Sequence, residues 1–408
     1  MRVCVIGSGG REHALAVALA RTAEVVVTPG NPGIPGSTQA SPTAIGADLF
    51  VIGPETPLVA GLADELRASG KLVFGPGADG ARLEGSKAWM KEVLQEAGVP
   101  TAVYGTFTEL EPALAFLRTL SGPWVVKTDG LAAGKGVLVT DSFDAAAADV
   151  AAKLSGAAFG DAGRRVVIEE WLDGPELSLL CVCDGRRAVP LAPAQDFKRL
   201  SDGDAGPNTG GMGAYSPVPF AGPDLVAEVL ERALQPTLAA LRARGIDYRG
   251  VLYAGIVLTS SGPKVLEYNV RFGDPEAQAV LPRSTGDLAA LLAEAAAGHI
   301  ESEPRFDDRI AVTVVLATEG YPFHPRTGDV IEGLDKADAL PDVTVFRAGV
   351  ARDADGAWIT AGGRALNVTA LGDDIAGARA TAYAAVSAIS WPGMHHRTDI
   401  AAIVRSAS

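Results

Sequence analysis

The chain has 408 residues, 48% hydrophobic and 21% charged, and 49 acidic against 35 basic side chains leave a net charge of −14. That length exceeds one ordinary core and implies about two to four domains, while the acidic balance excludes a general nucleic-acid binder, which needs a basic footprint. No apolar run reaches the ~18 residues that span a bilayer, and the first residues enter a strand without a signal-peptide pattern, so the expectation is a cytoplasmic protein with no membrane partner.

Arg2–Ile6 reads as a strand, followed by the turn Gly7-Ser-Gly-Gly10 and a helix over Glu12–Ala20. Strands at Glu24–Thr28, Asp48–Ile52 and Lys71–Phe74 each close on a glycine- or proline-rich turn, with a helix at Leu58–Ser69. Strands alternating with helices predict a parallel α/β unit over residues 1–83, with ligands at the strands' carboxyl ends. Ser86 is placed to cap a helix over Lys87–Ala97. Residues 103–172 alternate strands with the alanine-rich helices Glu109–Leu120 and Ser142–Leu154, as a small α+β lid. Long β runs follow at Glu176–Asp184, Arg249–Thr259 and Pro263–Val270, flanked by helices Asp224–Arg244 and Asp287–Ala297. A last α+β unit, 309–408, has strands at Ile310–Ala317, Val343–Ala351 and Ala365–Ala370 and a helix at Ile375–Ile389.

Four segments carry chemistry. The Gly7–Gly10 turn opens a helix whose N–H groups suit a phosphate; Glu12 stands where a dinucleotide fingerprint needs its third glycine, which disfavours a dinucleotide. Lys127 ends an apolar strand, where burial is costly without an anion, and the loop Asp129-Gly-Leu-Ala-Ala-Gly-Lys-Gly136 puts Lys135 within reach of phosphates. That loop is not a P-loop: Gly136 replaces the Ser or Thr, and a strand follows in place of a helix. Val166–Leu172 ends in Glu169, Glu170 and Leu172 before Glu176, a segment suited to an adenine and ribose or, read alone, to an ordinary strand and turn. Alternation in Val265–Arg271 sets Glu267, Asn269 and Arg271 on one face, where two oxygen ligands suit Mg²⁺ beside nucleotide phosphates; the opposite face is imperfectly apolar, which also fits a solvated strand. Asp196-Phe-Lys-Arg199 and Asn208–Ala214 bound a long glycine-dense loop, usually functional or disordered. Cys181 and Cys183 share a strand face with no second pair to complete a zinc site, so they and Cys4 are expected as small buried side chains. The five histidines lack ligand spacing and are expected to be structural or solvated.

In order, Val5–Ala14, Pro29–Asn31, Gly53–Glu55, Leu83–Lys87, Lys127–Gly136, Gly206–Tyr215, Arg271–Gln278 and Thr327–Ile331 resemble the phosphoribosylamine–glycine ligase (glycinamide ribonucleotide synthetase) family of the ATP-grasp superfamily, over nearly the whole chain. The resemblance implies an N-terminal Rossmann-like (preATP-grasp) domain, an ATP-grasp domain at 84–308 with the lid inside it, and a C-terminal α+β domain. It implies a carbon–nitrogen ligase of purine biosynthesis that joins glycine to 5-phosphoribosylamine through a glycyl phosphate, using ATP and Mg²⁺ or Mn²⁺. By this resemblance Lys87, Lys127, Gly134, Lys135, Gly136, Glu169, Glu170, Leu172 and Glu176 hold the nucleotide, and Glu267 and Asn269 the metal. Lys127, Lys135 and Arg271 act on the transferred phosphoryl group. Gly9, Gly10, Arg11, Glu12, Asn31, Pro54 and Glu55 are substrate residues of the first domain; Asp196, Lys198, Gly211, Met212, Gly213, Arg271, Gly273 and Asp274 are those of the second. The partners implied are small molecules, with a monomer expected and a weak dimer as the alternative. The rivals are another ATP-grasp ligase or transformylase with a different acceptor, and a silent nucleotide-binding protein. One departure stands out: the family has a helix before the strand Asp48–Ile52, whereas Ala44-Ile-Gly-Ala-Asp48 runs almost directly into it. Either the local topology differs or a segment is missing, because a parallel crossover needs about a dozen residues.

Overall fold

The computed structural model describes residues 1–131, 136–156 and 164–402. Arg2–Gly7 pairs in parallel with Glu24–Pro29 on one side and Leu49–Ile52 on the other, and Val73–Phe74 extends the sheet in the order 2-1-3-4. Both faces are buried, as parallel strands require. Val3, Val5, Leu49 and Val51 meet helix Gly10–Leu19, while Cys4, Ile6, Phe50 and Ile52 join the central core. The topology is therefore intact. The crossover to Leu49–Ile52 runs through residues 30–48 with a single 3₁₀ turn, Pro42–Ala44, in place of a helix. Ile45 and Ala47 pack on the face of Cys4 and Phe50, and Lys71 lies over the Phe50 ring at 4.7 Å while donating to the Ile45 carbonyl. The helix expected over Leu58–Ser69 is two, Glu55–Val59 and Leu62–Ala68, broken where Gly61 takes a positive φ of 88°.

Ser86 caps helix Lys87–Glu96 by accepting from the Trp89 N–H. The segment expected as a lid holds an antiparallel sheet of Tyr104–Phe107, Val166–Glu170, Trp124–Thr128 and Val137–Thr140, in that spatial order. Its helices Leu110–Leu117 and Phe143–Leu154 close a small core of its own, Ala113, Leu117, Val126, Ala146, Val150, Val166 and Ile168. The neighbouring sheet carries Ala188–Pro190, Glu176–Asp184, Arg249–Thr259 and Gly262–Asn269. Cys4, Cys181 and Cys183 are buried free thiols, as expected. The helix expected over Asp224–Arg244 holds a π turn at Leu230–Leu234; Pro236 has no N–H for the carbonyl four residues back, and the backbone widens before it.

The last sheet gathers chain from two places. Gly213–Ser216 pairs with Ile310–Ala317, and Gln195–Asp196 pairs with Gly213–Ser216, so the glycine-dense loop region is stitched to Arg364–Gly372 and Val343–Arg347. The strand expected over Val343–Ala351 divides: Val350–Arg352 leaves to pair with Trp358–Thr360. Among the described residues no helix is long and apolar enough to cross a membrane.

Candidate active site

The ladder of Val166–Glu170 stops at Glu170, so the backbone of Trp171–Leu172 lies beyond strand pairing. Beside it Ala102, Leu172, Val257 and Leu266 form a separate apolar cluster. Leu266 reaches it through a bulge: Gly255 faces Glu267 while Ile256 faces Val265, and the extra residue turns out of alternation. That bulge accounts for the imperfect apolar face of this strand. It also aims the Leu266 carbonyl at Lys127 Nζ, 3.4 Å away. Lys127 is buried and pairs with Glu169 at 3.0 Å. Lys87 Nζ donates to the Gly130 carbonyl, and burial pulls its pKa down against the raising influence of Glu267. The Asp129 carboxylate ties the start of the glycine loop to Ser86 Oγ and the Ala88 N–H. Gly136 accepts from the Thr128 N–H at the loop's far end; Gly134 and Lys135 fall outside the described residues. Glu170 is spent on the Val103 N–H and Lys264, and Glu176 on Lys198.

Glu267 and Asn269 lie opposite Gly255 and Tyr253 on the edge of that sheet. Burial pushes Glu267 up, but Lys198, Lys127, Lys87 and Arg271 outweigh it and hold the carboxyl below the usual glutamate range. Glu267 is thus an anion inside a ring of cations, which suits a metal ligand at neutral pH. Asp196 behaves oppositely. Burial is the largest cause, and Glu276, Glu176 and Glu267 add to it against Lys198, raising it to about 7. Glu276 is buried and accepts from the Tyr253 hydroxyl at 2.5 Å, and that hydroxyl also meets Ser178 Oγ at 2.8 Å.

The first domain meets this cleft through Arg271. Its Nε contacts Glu55 at 3.3 Å and one terminal nitrogen contacts Glu84 at 2.9 Å, while the other makes only a long contact, 3.4 Å, to the Phe272 carbonyl. Pro54 precedes the helix that starts at Glu55. Arg11 lies between Glu12 and the Phe272 carbonyl, with Glu55 at 3.9 Å. Glu12 is buried and receives the Gly9 N–H at 2.6 Å. A Cβ at Gly7 would stand 2.5 Å from Glu12, so the glycines make room for the glutamate that replaces the third glycine. Asn31 is saturated: its amide donates to the Ser8, Arg347 and Ala348 carbonyls and accepts from Gly33. Gly10 packs on Asn367 and Gln278 of other domains. Asp274 accepts from Gln278 at 2.8 Å and faces Arg364 at 3.4 Å. Gly211, Gly213 and Gly273 are close-packing positions; a Cβ on Gly213 would sit 2.6 Å from the Thr313 carbonyl. Met212 is wholly buried beneath the cleft. The expectation for histidines holds at His13, which is buried, accepts from the Arg347 N–H and is lowered by burial to about 4, hence neutral.

Sequence reasoning passed over Glu84, Lys91, Arg364 and Tyr253. Lys91 and Tyr253 sit in runs read as helix and strand, where a polar residue on a buried face was the available signal; Glu84 and Arg364 lie just outside the elements read there.

The chain is similar to known proteins over nearly its whole length. The phosphoribosylglycinamide synthetase N domain matches residues 1–84, the ATP-grasp (A) domain 85–277 and the C domain 311–403. A phosphoribosylamine–glycine ligase of Streptomyces coelicolor is 51% identical over 422 residues, covering 98% of this chain and 99% of that protein. One of Pseudomonas aeruginosa is 47% identical over 419 residues, covering 98% and 97%. Among solved structures, phosphoribosylamine–glycine ligase of Thermotoga maritima superposes with a TM-score of 0.86 at 36% identity, over 98% of this chain and all of that one. The biotin carboxylase domain of a Hydrogenobacter thermophilus 2-oxoglutarate carboxylase shares the fold at TM-score 0.70 and 17% identity, over 96% and 91%.

Proposed function

This chain belongs to the phosphoribosylglycinamide synthetase family, and we propose that its cleft joins glycine to 5-phosphoribosylamine, with ATP converted to ADP and phosphate. The carrying observation is the convergence at Arg271 of Glu55 from the first domain with the strand that holds Glu267 and Asn269. One substrate can thus reach the other there.

A carboxylate resists attack by an amine until one oxygen carries a leaving group. A glycine carboxylate oxygen attacks the γ-phosphorus of ATP, ADP departs, and the amine of phosphoribosylamine then displaces phosphate from the glycyl phosphate. Phosphoryl transfer calls for positioning and charge neutralisation. The apolar cluster at Leu172 and Leu266 takes the adenine face, and the backbone beyond Glu170 takes its edge. Lys87, Lys127 and Lys135 line the phosphates. Arg271 offers its lightly used terminal nitrogen to the glycine carboxylate or the γ-phosphate. Asp196 and Glu276 face the glycine ammonium. The hard oxygens of Glu267 and Asn269 fit Mg²⁺ or Mn²⁺, which when bound neutralises phosphate charge. The Gly9–Arg11 turn receives the sugar phosphate, with Asn31 and Glu12 holding the turn and Glu55 nearest the amine. The working division is 1–83, 84–308 with the lid at 103–172, and 309–408. Phosphate release from ATP that requires both glycine and freshly made phosphoribosylamine tests the reading; equal release without either substrate overturns it.

A further inference from the structure

Lys91 is a buried charge that the mechanism above does not use. It lies on helix Lys87–Glu96 with a side chain that has no solvent exposure. Its Nζ donates to Thr101 Oγ1 at 2.7 Å, and Thr101 in turn donates to the Val265 carbonyl. It stands 3.2 Å from Glu169 Oε1, an ion-pair contact without the angle of a hydrogen bond, and 5.3 Å from the Tyr104 ring. The other oxygen of Glu169 belongs to Lys127. Two lysines from different elements therefore share one carboxylate that is itself 1% exposed, and the buried triad carries one net positive charge.

That surplus matters for what Lys127 can do. A buried Lys–Glu pair alone is neutral, and an anion arriving at Lys127 would compete with Glu169 for the same charge. A second lysine on the far oxygen removes the competition. Burial lowers the Lys91 pKa to about 8, with Glu169 opposing, so the ammonium persists at neutral pH. Lys91 has no path to a ligand, since the helix, Thr101 and Glu169 enclose it.

We propose that Lys91 is a positioning residue for the nucleotide: it neutralises Glu169 from behind, leaving the charge of Lys127 to the phosphates. The proposal rests on the assignment of Lys127 to the nucleotide, and the test separates the two. Three variants are titrated calorimetrically with a non-hydrolysable ATP analogue and Mg²⁺, each checked for folding by circular dichroism and melting temperature. Lys127→Met tests the assignment, which fails if affinity is unchanged. Lys91→Met lowers affinity by about tenfold or more, because the triad loses its surplus charge. Lys91→Met combined with Glu169→Gln restores one positive charge and regains most of that loss, although it removes more native contacts. A packing role for Lys91 makes the double variant bind as weakly as the single one. Should Lys91→Met fail to fold, Lys91→Gln takes its place with the same reading: a loss of about tenfold that Glu169→Gln regains upholds the proposal, and unchanged affinity refutes it. Unchanged affinity in folded Lys91→Met also refutes it.

Discussion

Arg397 offers a calculable test of how the C-terminal segment supports the cleft. Its side chain is 1% exposed. It donates to both oxygens of Asp399 at 2.7 and 2.6 Å, to Asp204 at 2.8 Å and to the Arg199 carbonyl at 3.2 Å, and it lies 5.0 Å from the Phe197 ring. Phe197 separates Asp196 from Lys198, so the guanidinium braces the segment that joins strands Gln195–Asp196 and Arg199–Ser201. Arg397→Met keeps the apolar stem and removes the charge. Burial pushes Asp399 up, but the Arg397 bonds and the Gly203 N–H outweigh it and bring it from 3.8 to about 2. At about 1.4 kcal/mol per pKa unit, that shift corresponds to about 2 kcal/mol, of which the Gly203 N–H keeps a part. Asp204 is 70% exposed, and its pair adds little. The contact with Phe197 adds about 0.5–2 kcal/mol. The expected loss at pH 7 is about 2–3 kcal/mol, a fall of roughly 5 °C in melting temperature. Because the folded pKa is depressed, the Asp399 share is fully present above the unfolded value of about 4 and fades as pH falls towards 2. The gap between parent and variant, followed by thermal melting, should hold from pH 7 to 5 and narrow below pH 4. The KM for glycine should rise more than that for ATP. A gap under 0.5 kcal/mol at pH 7, or one that widens on acidification, refutes the reasoning.

Two further outcomes are expected. Glu267→Gln removes an anion that offsets Lys198, Lys127, Lys87 and Arg271, so the apo melting temperature should fall modestly, while the Mg²⁺ needed for half-maximal turnover rises at least about tenfold; normal turnover at low Mg²⁺ would reject the metal assignment. Gly9→Val places bulk where a Cβ already meets Glu12 at 3.0 Å and Asp274 at 3.7 Å. Its KM for phosphoribosylamine should rise while affinity for an ATP analogue, read by calorimetry, is kept; equal loss of both ligands in a folded variant would remove the phosphoribosyl substrate from this turn.

Period and punctuation made much of this fold legible. Arg2–Ile6 with its glycine turn, the Ser86 cap and the β runs at Glu176–Asp184 and Arg249–Thr259 are local patterns, and they reappear in the structure. Pairings between distant segments were not legible. Nothing in Gly213–Ser216 announces that it joins the sheet of Ile310–Ala317, because that contact depends on chain far away in sequence. The bulge at Leu266 was visible only as a lapse in alternation. At the candidate site, glycine motifs and the lysine closing a strand at Lys127 were readable, but their partners were hidden. Glu84 on Arg271, Lys91 on Glu169 and Arg364 on Asp274 are helix or strand residues whose role depends on the residue opposite.

The central claim is that glycine is activated at its carboxylate by the γ-phosphoryl group of ATP. The most direct measurement uses glycine labelled with ¹⁸O in both carboxylate oxygens, together with unlabelled ATP and phosphoribosylamine. The phosphate released is then analysed by mass spectrometry. If the oxygen that attacks phosphorus leaves with it, each phosphate carries one ¹⁸O and the new amide retains the other. Phosphate free of label, formed at the same rate as the amide, would mean that water or another acceptor takes the phosphoryl group, and the account would be wrong.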